Sequence, residues 1–244
     1  MHAKTVGIHQ PNFFPWLGYF NKLAHADEFV FLDSVQFSKA AGTWSNRVRL
    51  QIHGEPRWVT MPVVRDYHGV QVVRDMRTVR SDWRERMLKT IRSAYGRAAH
   101  FDVVFPFLEP LVANPTDVLV EYNVAAIRAI VDALDLRRAR LTMASELGVA
   151  GRSTSLLVSI VTAVRGTTYL CGDGASGYQD DQQFRGAGIE LLRQQFRHPV
   201  YEQPGDAFLP GLSVIDALMH CGFEGARRLV LASTPGEAVA VARR

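Results

Sequence analysis

Cysteine is almost missing from this chain: only Cys171 and Cys221 occur in 244 residues, far apart and without metal-ligand spacing. Two such thiols exclude a disulfide framework and fit a reducing compartment. No apolar run approaches the ~20 residues needed to cross a bilayer. The N-terminus leads directly into a strand-like run with no signal-peptide pattern, so a cytoplasmic protein without a membrane span is expected. Internal repeats, low-complexity tracts and linkers are also absent. Lysine is scarce as well, with four among the 28 basic residues. The arginines are scattered along a chain of net charge +4. The basic stretch 83–97 has a helical pattern whose charges read as a solvated face, so no nucleic acid is expected as a partner.

What is present is an ordinary globular composition, 47% hydrophobic with mixed charge, and an alternation of short apolar runs with amphipathic stretches. Strand-like runs at 5–8, 29–32, 139–143, 167–171 and 189–195 are separated by helical patterns. This predicts an α/β fold with a mostly parallel, Rossmann-like sheet and flanking helices. Runs at 47–52 and 57–64 flank His53-Gly54-Glu55-Pro56, a hairpin signal, and 70–73 adds a further strand candidate. A small antiparallel β-hairpin insertion is expected around 44–75, followed by a helical segment around 81–135, within a single domain spanning 1–244. Later helices are expected at 153–165, 180–186 and 213–221, the last capped by Ser213, with Asp216 in its first turn, and closed by Gly222.

The most informative stretch is 7–39, GIHQPNFFPWLGYFNKLAHADEFVFLDSVQFSK, a strand, helix and strand carrying His9, Gln10, Tyr19, Lys22, Asp33, Gln36 and Lys39. In open parallel sheets ligands bind beyond the carboxyl ends of the strands, and here both ends carry chemically capable side chains. His9 and Asp33 on adjacent strand ends would form a base and its orienting carboxylate, while a His at the end of a strand is alternatively a hydrogen-bonded structural residue. Lys22 and Lys39 stand out because the chain otherwise prefers arginine. The prolines at 11 and 15 suggest a rigid loop entering a helix whose N-terminus can hold an anion. Trp44-Ser45-Asn46-Arg47 offers a stacking face, an amide and a planar guanidinium suited to a sugar or nucleotide; read structurally, it is the turn into the hairpin. In the Gly-rich stretch from Cys171 and Gly172 through Asp173 to Tyr178, backbone amides can approach a ligand, and Cys171 is weighed as a nucleophile for an acyl group.

The motifs HQPNFFPWLGYFNKLAHADEFVFLDSVQFSK, WSNRVRL, WVTMPV, YLCGDGASGYQ and LSVIDALMHCG resemble the WbqC-like family of bacterial proteins over about residues 6–222. That resemblance implies a place in O-antigen, surface-sugar or secondary-metabolite biosynthesis and an acyl or aminoacyl (glycyl) transferase role. The donor would be a carrier-protein or coenzyme A thioester, the acceptor an amine on a small molecule, with no cofactor or metal. His9 is then the general base and Asp33 its orienter. Lys39 or Arg47 binds an anionic group, and Gln10 and Asn46 bond the reacting carbonyl. The first motif also resembles the nucleotidylyltransferase layout, but Trp16-Leu17-Gly18-Tyr19 stands where a HxGH motif would be, so both histidines are missing. Two rival readings are an ATP-dependent acyl-adenylate-forming amide ligase and a non-catalytic scaffold using an apolar patch at 101–111.

Overall fold

The computed structural model describes residues 3–38, 43–172 and 180–236. Through its first part the chain runs β1 (Thr5–His9), α1 (Leu17–Ala24), β2 (Glu28–Phe31), β3 (Arg47–Ile52), β4 (Glu55–Thr60), α2 (Trp83–Tyr95), α3 (Phe101–Val112) and α4 (Leu119–Ala133). It continues as β5 (Arg140–Met143), α5 (Ser153–Ala163), β6 (Thr168–Cys171), α6 (Asp181–Gly186), β7 (Glu190–Arg193) and α7 (Val214–Leu231).

Five strands form one parallel sheet in the order β5-β2-β1-β6-β7. Chain order reverses at β1, because β2 and β5 build outward on one side and β6 and β7 on the other. This is the doubly wound arrangement, and its switch point lies between β1 and β6. The two-residue alternation of a strand distributes the side chains. Val6, Ile8 and Val30 pack with Leu156 and Ile160 of α5 and Phe184 of α6 on one face, while Phe29 and Phe31 join Phe20, Leu218 and the helical residues on the other.

The antiparallel β3–β4 hairpin forms as expected, but its turn is tighter than the four-residue signal suggested. Ile52 pairs with Glu55, so only His53 and Gly54 turn the chain, with φ of 54° and 77°. Positive φ at both central residues suits the right-handed strand twist. The further strand expected at 70–73 is reduced to a single bridge between Gln36 and Val72, followed by a 3-10 turn at Val73–Asp75. Residues 115–118 stay extended because Thr78 N donates to Asp117 O at 2.7 Å and Arg77 bridges Val118, and α4 begins only at Leu119.

Gly222 does not end α7 but breaks it. Its φ of 67° and ψ of −177° are non-helical, and the helix resumes to Leu231. A Cβ there would stand 2.9 Å from the His100 ring, so close approach as well as backbone angle demands glycine. The apolar run at 101–111 supplies core rather than a surface: α3 buries Val104, Phe105 and Leu108, and Val103 is its large apolar residue left exposed. Among the described residues, no helix is long and apolar enough to cross a membrane.

Candidate functional site

A cavity of about 550 Å³ opens at the switch point. Its floor is made by strand ends: His9 and Gln10 at β1, Leu32 just after β2, Gly172 after β6 and Gln194 after β7. Trp16, Tyr19 and Lys22 reach it from α1 and its entry, and Trp44 and His198 from the loops above. The apolar runs stop here because a parallel strand buried on both faces loses its cover at its carboxyl end, where polar side chains can meet water or a ligand.

His9 sits edge-on to Tyr19, with ring centroids 4.9 Å apart, and to Trp16 at 5.7 Å. Its Nδ1 lies 3.1 Å from the Gln10 carbonyl. A carbonyl can only accept, so the contact places the ring proton on Nδ1 and leaves Nε2 as a lone-pair acceptor. Burial, with a smaller contribution from the positive charge of Lys22, pushes the His9 pKa down to about 3. The imidazole is therefore neutral throughout the physiological range. Lys22 is 3% exposed and donates to Ile8 O at 2.8 Å. Its Nζ stands 5.7 Å from the Tyr169 ring centroid.

These shifts give a pH dependence with a definite sign. The unfolded chain binds a proton at His9 near the ordinary 6.5, whereas the folded chain does so only near 3. Between those values the unfolded state holds more protons, so His9 makes stability fall as pH drops from about 6.5 toward 3. Lys22→Met removes the neighbouring charge and should raise the His9 pKa, read by NMR titration of the ring. An unmoved titration would assign the entire depression to burial.

Asp33 does not occupy the place expected for it. It is 2% exposed, and its carboxylate accepts from Ser145 N at 2.9 Å and Ser145 Oγ at 2.6 Å. It ties β2 to the turn after β5, since a buried carboxylate takes the nearest strong donors. The Gln10 carbonyl, not Asp33, orients His9. Asn46 is likewise a turn residue: its amide donates to Met61 O at 3.0 Å and accepts from Thr43 N at 3.3 Å, and it is 1% exposed. Gln36 is exposed and makes the bridge to Val72. Cys171 points into the core between sheet and α5, 0% exposed, its Sγ 3.5 Å from Leu192 O.

Gln10, Tyr19, Lys22, Trp44 and Gly172 do meet at the cavity. Gln10 Oε1 accepts from Ser45 Oγ at 3.1 Å, which leaves its amide N–H groups for the cavity. Tyr19 Oη donates to Gln10 O at 3.2 Å. Arg47 lies beside the cavity on β3, its guanidinium 4.0 Å from the Trp58 ring centroid. Lys39, Asp173 and Tyr178 lie outside the described residues.

Several contributors escaped the sequence reading. Gln194 follows the β7 run, and the strand-end rule that singled out His9 applies to it equally; its amide donates to Gly18 O at 2.6 Å and Asn21 Oδ1 at 2.9 Å. Gly18 is glycine because a Cβ would stand 2.6 Å from the Trp16 indole nitrogen and 2.8 Å from Phe196, so those rings cover the first turn of α1. His198 had no local signal; Gly211 N donates to its Nδ1 at 3.3 Å. Burial, helped by Arg49, lowers its pKa. Asn123, inside the apolar stripe of α4, donates to Pro11 O at 2.9 Å and Ser45 O at 2.7 Å and so staples the loop after β1 to the hairpin entrance.

The molecule is thus a doubly wound α/β protein with a polar, aromatic-walled pocket at its switch point. The profile of the WbqC-like protein family matches residues 10–228, and the chain belongs to that family. It is also similar to Uncharacterized protein Rv1507c of Mycobacterium tuberculosis, 28% identical over 223 residues that cover 91% of this chain and 95% of that one. No solved structure matches it.

Proposed function

We propose that the switch-point pocket transfers an acyl or aminoacyl group, glycyl among them, from an activated thioester to an amine of a sugar or other small acceptor in surface-polysaccharide or secondary-metabolite biosynthesis. The observation that carries this reading is the neutral His9 imidazole, with Nδ1 against the Gln10 carbonyl and Nε2 left as an acceptor. The amine nitrogen attacks the thioester carbonyl, a C–N bond forms, and the ammonium proton passes to Nε2. The C–S bond then breaks and the departing sulfur takes that proton, giving an amide and a thiol. Negative charge developing on the carbonyl oxygen is offset by the Lys22 ammonium and the Gln10 amide. The same developing charge opposes the effect of Lys22 on His9 and strengthens the base when it is needed.

Direct transfer is favoured over a covalent intermediate because the Cys171 thiol is shielded and burial pushes its pKa up, away from the reactive thiolate. Cys171→Ser should therefore keep most of the turnover when donor thioester and acceptor amine are mixed. An acyl mass found on Cys171 that proceeds to product would move the reaction centre there. The strand order supports a second reading, the ATP-dependent ligase, because nucleotides bind at such switch points. Stabilisation against heat by ATP and magnesium, together with ATP-dependent amide formation, would select it.

A further inference from the structure

The outer face of the hairpin carries two guanidinium groups that the proposed chemistry does not use. Alternation along β3 turns Val48 and Leu50 into the core and puts Arg47 and Arg49 together on the other face, with Cα atoms about 7 Å apart. Among the described residues neither forms an ion pair with a carboxylate, and the Nε of each is buried without a hydrogen-bond partner. Arg47 stacks on Trp58, and Arg49 lies 5.7 Å from the Trp58 centroid and 5.8 Å from that of Trp44. Arg49 is steadied by donating to Gly211 O at 3.2 Å, and Trp58 remains 43% exposed. Two like charges held side by side with incomplete hydrogen bonding cost stability unless an anion satisfies them.

This face is continuous with the cavity. Ring centroids step from His9 to Trp16 at 5.7 Å, Trp16 to Trp44 at 5.1 Å and Trp44 to Trp58 at 5.0 Å. An anion at the arginines therefore sits three ring steps from the proposed base. We infer that Arg47 and Arg49 form a phosphate subsite for the far end of a long-armed donor, a phosphopantetheine thioester, whose arm follows the indoles to its reacting carbonyl at His9. The planar guanidinium forks suit a phosphate ester, and the indoles give an amide-containing arm an amphipathic track. A nucleotide sugar fits less well, because its diphosphate is joined directly to the sugar and cannot span the same path. The assignment rests on the thioester reading of the pocket and deepens it.

The test is calorimetric binding of 4′-phosphopantetheine, pantetheine and coenzyme A to the full chain, with a nucleoside diphosphate sugar as comparison. Phosphopantetheine should bind at least about tenfold more tightly than pantetheine, the scale of one charge-assisted contact set. Arg47→Ala and Arg49→Ala should abolish that ratio while leaving the affinity for pantetheine unchanged. Coenzyme A binding more tightly than phosphopantetheine would name the free cofactor thioester as donor; equal binding of the two would point to a carrier-protein arm, and both results retain the subsite. Equal affinity with and without the phosphate, no binding of either, an intact ratio in the arginine variants, or tighter binding of the nucleotide sugar would each overturn it. The ratio in the unaltered protein decides the matter even if a variant misfolds. Phosphate preference without acyl transfer would instead sink the transferase reading and leave the anion subsite standing.

Discussion

His9→Ala is expected to lower kcat for amide formation by roughly 100-fold or more, the usual scale for loss of a positioned proton acceptor. KM should change little, because the binding contacts assigned to the arginines and indoles lie outside His9. Two decades in rate correspond to about 2.7 kcal/mol of transition-state stabilisation. His9→Gln, which keeps a polar side chain of similar reach but cannot accept a proton usefully, should lose as much. Burial holds the His9 pKa down to about 3, so kcat/KM should show no acid limb from His9 near the ordinary imidazole value, and any limb at higher pH should follow the pKa of the acceptor amine when that amine is varied. Full turnover in His9→Gln would remove His9 from the chemistry and leave the pocket a binding site.

Asp216→Ala should cost about 3 kcal/mol or more and lower the melting temperature by about 10 °C. The carboxylate is 0% exposed. It accepts from Tyr95 Oη at 2.9 Å, Tyr201 Oη at 2.7 Å and Gln203 Nε2 at 2.9 Å. Removing it takes the acceptor from the buried Tyr95 hydroxyl and from the partly buried Tyr201 hydroxyl, and leaves Gln203 Nε2 only its 3.3 Å bond to Leu209 O; the penalty comes from desolvation without a partner. The network reaches the site: Tyr95 Oη accepts from Gln51 N at 3.0 Å, and Gln51 Nε2 donates to Pro204 O at 2.6 Å. Asp216 thereby fixes the strand that carries Arg47 and Arg49 against the loop region that includes His198. Asp216→Asn, which keeps an acceptor oxygen but turns an NH₂ toward hydroxyl donors, should fall between the two. A melting temperature within about 2 °C of the parent in Asp216→Ala would show that the cluster contributes little to stability.

Periodicity and composition by themselves determined a large part of this protein. The five apolar runs, the helices between them and the existence of the hairpin were legible because each depends on neighbours within a few positions. His9, Gln10 and Lys22 were visible for the same reason: they interrupt or follow apolar runs at the ends of elements. Tertiary structure alone decided what those side chains touch. Asp33 could be placed at a strand end, but its choice of Ser145 over His9 depends on β5 entering the sheet beside β2, a pairing between segments more than 100 positions apart. Asp216 reads locally as a first-turn helix acid, yet Tyr95 and Tyr201 claim it from other elements. Gly222 reads as a helix stop, yet it holds a kink against His100. Gln194 and His198 reach one opening, with Arg49 and Trp58 beside Trp44 at its wall, only after the sheet order and the loop after β7 are set. Local pattern reports the period of burial, which a few neighbouring residues establish; partner choice for a buried polar group is settled by whichever donors and acceptors long-range packing brings within 3 Å, and no short window of sequence contains them.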